Sequence, residues 1–472
     1  MGFSETIYCR APAWSQTLLL NAYAWRIERH RYGQPYRQAV GQLLAQERWP
    51  PERLRDYQDA RLREIVAVAY GRSPYYRRAF DAAGIRPYQI CGVADLPRIP
   101  LLTKETVREH RAELLTRERP GQGWLAGHTS GTTGSPLEVW YDQATCILNN
   151  AVDRRQKVWG GMSDDAWIGL LLGRVIVPPR QAAPPFWRTN WIQRQVWFSS
   201  FHMRDRWLGS YVVEMRRRGL RFLEGYPSTL YILATYLRQR GITLPMQAVF
   251  TSSETLHTVQ RETIEAAFEC RVFDFYGLAE RVIFAGECER HAGKHAAEEF
   301  GIVEVVDEDG LPVRPGQAGY LVGTSLHNTA MPLLRYRTSD VSALTLEQCE
   351  CGRTSRRVRD VTTKAEDIVV TPDGRMVSPS VLTHPFKPLD QILKSQIVQD
   401  RPDHIVVKLV PSGAFEATHE RQLVAALRER LGPHMAVEVR IVDDISREPS
   451  GKYRWVVSQV AHSCRFPWEE EA

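Results

Sequence analysis

No uncharged apolar run in this sequence of 472 residues approaches the ~20 needed to cross a bilayer as a helix. The nearest, Ile168 to Val177, is interrupted by Gly169 and Arg174 and stops at Pro178-Pro179, so it reads as a buried strand or loop. Cysteine is sparse, with eight spread over the whole length. Secreted disulfide scaffolds are short and dense in Cys, so a reducing cytoplasm is the expectation. The first residues, MGFSETIYCRAPAWSQTLLLNAYAWRIERHR, lack an early basic region followed by a clean apolar run, and no signal peptide is expected. Internal repeats, low-complexity tracts, a Walker phosphate loop of the form G-x-x-x-x-G-K-[ST] and any recognised nucleic-acid-binding module are missing too. What charge there is stays nearly balanced, 61 Lys and Arg against 55 Asp and Glu, for a net +6. Arg-rich pieces such as Met215 to Arg218 and Arg353 to Arg359 can hold phosphates, but a solvated face is the plainer reading.

The remaining composition is that of an ordinary globular chain, 43% hydrophobic and 25% charged. Its length calls for a large domain and at least one smaller one. Residues 36–118 read as mostly helical, with apolar residues at helical spacing from Arg61 to Ala79 and from Lys104 to Leu115, the latter opened by an N-cap at Thr103. Between 205 and 285, helical segments (205–218, 229–240, 257–268) alternate with short apolar runs (221–223, 247–250, 271–276), the pattern of α/β layers on a parallel sheet. From 300 to 345 the pattern turns to β, with Ile302 to Val306 and Gly319 to Gly323 as strands. A smaller unit begins after about residue 361. It has a hairpin around Thr371-Pro372-Asp373-Gly374, a strand from His404 to Val410, a helix from Thr418 to Leu431, a strand from Val437 to Val442 and an exposed loop from Arg447 to Lys452.

One loop stands out. Thr129-Ser130-Gly131-Thr132-Thr133-Gly134-Ser135-Pro136 is built from small residues whose backbone can approach an anion and whose amides and hydroxyls can surround phosphate oxygens. Composition alone allows a flexible hairpin turn equally well. The loop closely resembles the phosphate-binding signature of the adenylate-forming superfamily of acyl-CoA synthetases, luciferases and peptide-synthetase adenylation domains. Three further matches follow in that family's order. They are Tyr276-Gly277-Leu278-Ala279-Glu280, Tyr336-Arg337-Thr338-Ser339-Asp340 and Pro449-Ser450-Gly451-Lys452. Within the superfamily the chain resembles the phenylacetate–CoA ligase branch and its CapK-like members, on Leu101-Leu102-Thr103-Lys104, Gly225-Tyr226-Pro227-Ser228 and the paired cysteines below. The fold this implies is α/β: a large N-terminal domain of α/β sheets with a small β-barrel-like part (residues 1–360), and a small mobile α+β C-terminal lid domain (361–472).

The resemblance also implies roles. Ser130, Gly131, Thr132, Thr133 and Gly134 would cradle the phosphates of ATP, and Glu280 would bind Mg²⁺, which neutralises charge as pyrophosphate leaves. Tyr276 and Gly277, at the carboxyl end of an expected strand where open α/β sheets bind ligands, would meet adenine. Asp340 would accept from the ribose hydroxyls, and Ser253 with Glu254 would lie beside adenine and the acyl pocket. Lys452 would stabilise the anionic transition state as a carboxylate attacks the α-phosphate. Its place in the smaller domain then requires that domain to close. Taken singly, each has a plainer reading: a capping Glu280, a core Tyr276, a turn Asp340, a solvated Lys452.

Two departures from the family pattern are visible. Pro136 is followed by Leu137-Glu138 rather than Lys, and the hinge reads Thr363-Lys364-Ala365-Glu366-Asp367 in place of Gly-Arg-x-x-Asp, leaving Lys364 or Asp367 as the pivot.

Cys349-Glu350-Cys351, with Cys288 and either His291 or His295 upstream, supplies the donors of a tetrahedral zinc site. By resemblance His295 is the better fourth ligand, and four protein donors make the role structural. The expectation is therefore an ATP-dependent acid–thiol ligase that forms an acyl-adenylate and passes it to coenzyme A. An amine or carrier-protein acceptor, or a non-catalytic nucleotide-binding homologue, are the alternatives. Its partner is a small carboxylic acid, aromatic acids among the candidates. No nucleic acid and no membrane insertion are expected, and the chain acts as a monomer or homodimer.

Overall fold

The computed structural model describes residues 8, 11–117, 121, 123–128, 137–178, 181–363, 369–372, 376–377, 379–382, 385–386, 389, 391–411, 415–445 and 455–460. The N-terminal third is helical: α1 (Ala13–Arg31), α2 (Gln34–Gln46), α3 (Pro51–Arg72), α4 (Pro74–Ala82) and α5 (Lys104–Glu109). The single helix expected from Arg61 to Ala79 is two. Pro74 cannot donate into a continuing helix, and Ser73 instead caps α4 by accepting the Tyr76 N–H at 3.4 Å. Thr103 caps α5 as expected, accepting from the Thr106 N–H at 3.2 Å; the stretch expected to Leu115 breaks at His110, and a short helix from Arg111 to Leu114 completes it. Helix α1 carries no recognisable sequence pattern, because its buried residues are Gln16 and Ala24.

A hairpin of β1 (Leu125–His128) and β2 (Glu138–Tyr141) follows, paired from Leu125 opposite Tyr141 to His128 opposite Glu138. Helix α6 (Gln143–Trp159) then opens with Asp142 accepting the Thr145 N–H at 2.8 Å.

The central sheet is built next. Strands β3 (Ile168–Leu171), β4 (Trp187–Asn190) and β5 (Gln195–Phe198) lead into α7 (Asp205–Arg217), β6 (Phe222–Gly225), α8 (Pro227–Gln239), β7 (Ala248–Ser252), α9 (Thr258–Phe268) and β8 (Arg271–Gly277). Strands β5, β3, β6, β7 and β8 lie side by side and parallel. Both faces are covered, and alternate residues divide between them. Phe222, Phe250 and Phe273 point into one core cluster, Leu223, Val249 and Val272 into the other. Antiparallel strands extend the sheet: β4 on one edge, and β9 (Phe284–Glu287) and β10 (Lys294–Ala296) on the other.

A second, antiparallel sheet holds β11 (Gly301–Val306), β12 (Gly319–Ser325) and β13 (Tyr336–Ser342). Strands β14 (Leu344–Thr345) and β15 (Arg357–Val358) return to the central sheet, and β16 (Thr362–Thr363) pairs with β13.

A separate core follows, centred on Ile397, Ile405, Leu423, Leu427 and Trp455. It contains the pair β17 (Val369–Val370) and β18 (Met376–Val377), then β19 (Ile392–Arg401), β20 (His404–Pro411), α10 (Ala417–Leu431), β21 (Ala436–Ile441) and β22 (Val456–Ser458). Its sheet runs β21-β20-β19-β22. The guanidinium of Arg430 in α10 lies 4.9 Å from the ring centre of Phe201, which follows β5.

Candidate functional site

The carboxyl ends of β7 and β8 lie next to each other, with Ser252 opposite Phe275. Open parallel sheets bind ligands at such an edge, because the loops leaving it diverge there. Tyr276 and Gly277 are the last two residues of β8, and Gly277 is exposed. Ser253 follows β7 in the left-handed region at φ 69°, a sharp turn that a non-glycine residue rarely adopts. The next residue, Glu254, faces α8. Its carboxylate accepts the Ser228 N–H at 3.0 Å and the Ser228 hydroxyl at 3.1 Å, and so caps that helix.

Strand β13 brings its motif to the same place. The Tyr276 hydroxyl donates to Asp340 Oδ2 at 2.6 Å, and the Tyr336 hydroxyl donates to Glu280 Oε1 at 2.5 Å. These two crossed pairs tie the ends of β8 and β13 together. Tyr141 of β2 donates to the Ala279 carbonyl, and the Arg281 guanidinium lies 4.2 Å from the Tyr141 ring centre. The strands flanking residues 129–136 are thereby anchored beside Glu280. The segment Leu101 to Lys104 runs along β13, with the Leu102 N–H donating to the Arg335 carbonyl at 3.0 Å and the Arg337 N–H to the Leu102 carbonyl at 2.9 Å.

Burial governs the electrostatics. Asp340 is pushed up to about 6, first by desolvation and then by the Glu280 charge, against the opposing pull of the Tyr276 hydrogen bond and Lys104. Burial raises the Tyr276 and Tyr336 phenols well above their usual range, so both remain proton donors. The two buried carboxylates repel each other, and such a pair favours a cationic ligand or a hydroxyl-rich one.

Of the residues singled out in the sequence, Ser253, Glu254, Tyr276, Gly277, Glu280 and Asp340 gather at this edge. Ser130, Gly131, Thr132, Thr133, Gly134, Lys364 and Lys452 lie outside the described residues. Thr363, just before Lys364, pairs with Asp340. Tyr336 and Tyr141 are the partners sequence reasoning missed. Tyr336 stood in a quoted motif, but nothing in its spacing announced the bond to Glu280. Asp274 was missed as well: fully inside, it accepts from the Thr251 hydroxyl at 2.6 Å and lies 3.1 Å from Lys294 Nζ.

A second cluster sits on the antiparallel edge. One donor atom each from Cys288, His295, Cys349 and Cys351 lies within 4.8 Å of the others, and all four residues are buried. Four ligands tetrahedral about a zinc ion at about 2.3 Å for sulfur and about 2.0 Å for nitrogen stand about 3.8 Å (S to S) and about 3.5 Å (S to N) apart. The Cys288 and Cys349 sulfurs are 3.8 Å apart, and Cys351 Sγ is 3.3 Å from His295 Nε2. The outer contacts suit a metal too. His295 Nδ1 is 3.3 Å from the Ser355 carbonyl, which leaves Nε2 for the cluster, and burial with nearby Arg353 pushes the imidazole down to about 4. The Arg290 and Arg353 N–H groups donate to Cys288 and Cys351 sulfur at 3.5 and 3.4 Å. His291 points elsewhere, its Nδ1 lying 3.3 Å from Glu287. The residues fit zinc.

Residues 369–459 match the family described as the CapK C-terminal domain. Among curated proteins, a phenylacetate–coenzyme A ligase of Thermus thermophilus is 31% identical over 347 residues, 68% of this chain and 72% of that one. The CapK protein of Staphylococcus aureus is 24% identical over 96% of this chain and 99% of its own length. Among solved structures, a 2-hydroxyisobutyryl-CoA ligase in complex with 2-HIB-AMP and CoA superposes with a TM-score of 0.60 at 21% identity, covering 89% of this chain and 92% of that one. That likeness shows the fold, the α/β architecture of adenylate-forming enzymes. The chain belongs to the phenylacetate–coenzyme A ligase family, on the branch shared with CapK.

Proposed function

We propose that this protein activates a carboxylic acid with ATP and transfers the acyl group to the thiol of coenzyme A. In the first step a carboxylate oxygen attacks the α-phosphorus, the bond to the bridging oxygen breaks, and pyrophosphate leaves. In the second the thiolate sulfur attacks the acyl carbon and AMP leaves.

The observation that carries this reading is the pair of crossed bonds, Tyr276 to Asp340 and Tyr336 to Glu280. They hold two carboxylates in fixed orientations at the ligand-binding edge of a parallel sheet, at a cost in desolvation that folding alone does not require. In this reading Asp340 accepts from the ribose hydroxyls, Tyr276 meets the adenine, and the turn at Ser253 borders nucleotide and acyl group. Among the described residues Glu280 Oε2 accepts no hydrogen bond, which suits a cation there; Mg²⁺ would offset charge on the departing pyrophosphate. Residues 129–136 hold phosphates, and Lys364 and Lys452 act from the hinge and the smaller domain, divided from the larger near residue 361. Zinc bound by Cys288, His295, Cys349 and Cys351 locks the β9–β10 edge and leaves no open position. The free thiols Cys91 and Cys270 suit a reducing cytoplasm.

Incubation with ATP, Mg²⁺, coenzyme A and a panel of acids that includes phenylacetate tests the reading. Mass spectrometry should show AMP and one acyl thioester rising together. AMP formed only with an amine or a carrier protein would move the acceptor, and no AMP with any acid would end the proposal.

A further inference from the structure

Helix α1 is turned inside out. Surface helices bury their apolar stripe and expose the polar one, but here Gln16 and Ala24 are buried while Trp14, Leu18 and Trp25 are 68%, 55% and 54% exposed. These three positions fall on one strip of the helix about 40° wide, while Leu19 and Tyr23, 47% and 60% exposed, stand on the opposite side. The β4–β5 turn extends the strip with Trp191, 51% exposed. Trp14, Leu18 and Trp191 line a common groove of about 490 Å³.

The strip is held in place. The Asn21 amide donates to the Thr189 carbonyl at 2.8 Å, the Trp191 N–H donates to Asn21 Oδ1 at 2.8 Å, and Arg188 Nε donates to Gln16 Oε1 at 2.8 Å. Charge is one-sided. Arg26, Arg29 and His30 are exposed near the end of the helix, and the Arg29 guanidinium lies 4.8 Å from the Trp25 ring centre. The helix has no Asp and a single Glu, Glu28, which accepts from Gln193 Nε2 at 3.4 Å.

Tryptophan beside leucine, flanked by arginine with a single acid among them, is the chemistry of the boundary between lipid headgroups and acyl chains. No helix of the described residues is long and apolar enough to cross a membrane, so α1 would lie in the plane of that boundary. We propose that this face docks the protein on an anionic lipid surface, with Trp14, Leu18, Trp25 and Trp191 entering the headgroup layer and Arg26 and Arg29 meeting lipid phosphates. This does not depend on the acid-activating reaction.

Sedimentation of the full chain with vesicles of phosphatidylglycerol and phosphatidylcholine in equal parts, and of phosphatidylcholine alone, tests it. Binding should favour the anionic vesicles and weaken as salt rises. The double variant Trp14→Ala/Trp25→Ala should bind at least about tenfold more weakly, with unchanged circular dichroism because both side chains are exposed. Arg26→Gln/Arg29→Gln should lose the anionic preference. Wild-type protein left in the supernatant, or variants that bind equally well, would overturn the proposal. So would a concentration-dependent dimer abolished by Trp14→Ala/Trp25→Ala, which would make a second copy the occupant.

Discussion

Asp340 is an expensive residue to keep charged. Its ordinary value of 3.8 is pushed up to about 6 by burial and by Glu280. A carboxyl whose folded value exceeds its unfolded one stabilises the protein below the unfolded value, and that contribution disappears as pH rises through about 6. At pH 8 the ionised carboxylate therefore strains the fold by something on the order of 3 kcal/mol. Two outcomes follow. Asp340→Asn should raise stability at pH 8 by about 1–3 kcal/mol, read by denaturant unfolding, while impairing nucleotide use. In the wild-type protein, KM for ATP should climb as pH falls below about 6, because a protonated Asp340 loses acceptor capacity toward ribose; a flat profile down to pH 5 would remove Asp340 from that role. Tyr336→Phe keeps the buried ring and deletes only the bond to Glu280. It should lower kcat by about tenfold or more while leaving the melting temperature within a few degrees. Tyr276, Glu280 and Asp340 were legible in the sequence because each sits in a short motif with a chemical reason for its residue types. The crossed hydrogen bonds were not, since they join positions 60 or so residues apart whose proximity only the fold creates.

Among elements, the parallel strands and their helices were the most legible. Alternating apolar positions on β6, β7 and β8 feed two different cores, and the intervening helices fall within two residues of their expected bounds. Local chemistry overrode periodicity elsewhere. Pro74 split a helix that the spacing ran straight through, and α1 escaped notice because its buried face is polar. The cysteine cluster belongs to this scale, since it joins the turn after β9 to β10 and to the segment between β14 and β15. The purified protein should contain about one zinc per chain by elemental analysis. Stripping it with a chelator, or replacing Cys351 with Ser, should lower the melting temperature by about 5 °C or more. Full metal loss with no change in melting would show that the cluster does not secure this edge.

At the scale of the whole molecule, the sheets built from residues 125–363 carry the two pinned carboxylates, and the core around Ile397, Leu423 and Trp455 is separate from theirs. The crowding of a carboxylate, three phosphates and two acidic side chains needs cations from outside the larger core. Lys452 is the cation proposed for this, and it belongs to a motif readable from sequence although it lies outside the described residues. Acid-dependent exchange of labelled pyrophosphate into ATP isolates the adenylation step from everything after it, so it tests the central claim directly. A particular carboxylic acid should stimulate exchange, and Glu280→Gln and Lys452→Ala should each reduce it at least about a hundredfold. Exchange that no acid stimulates, or that both variants retain in full, would contradict it.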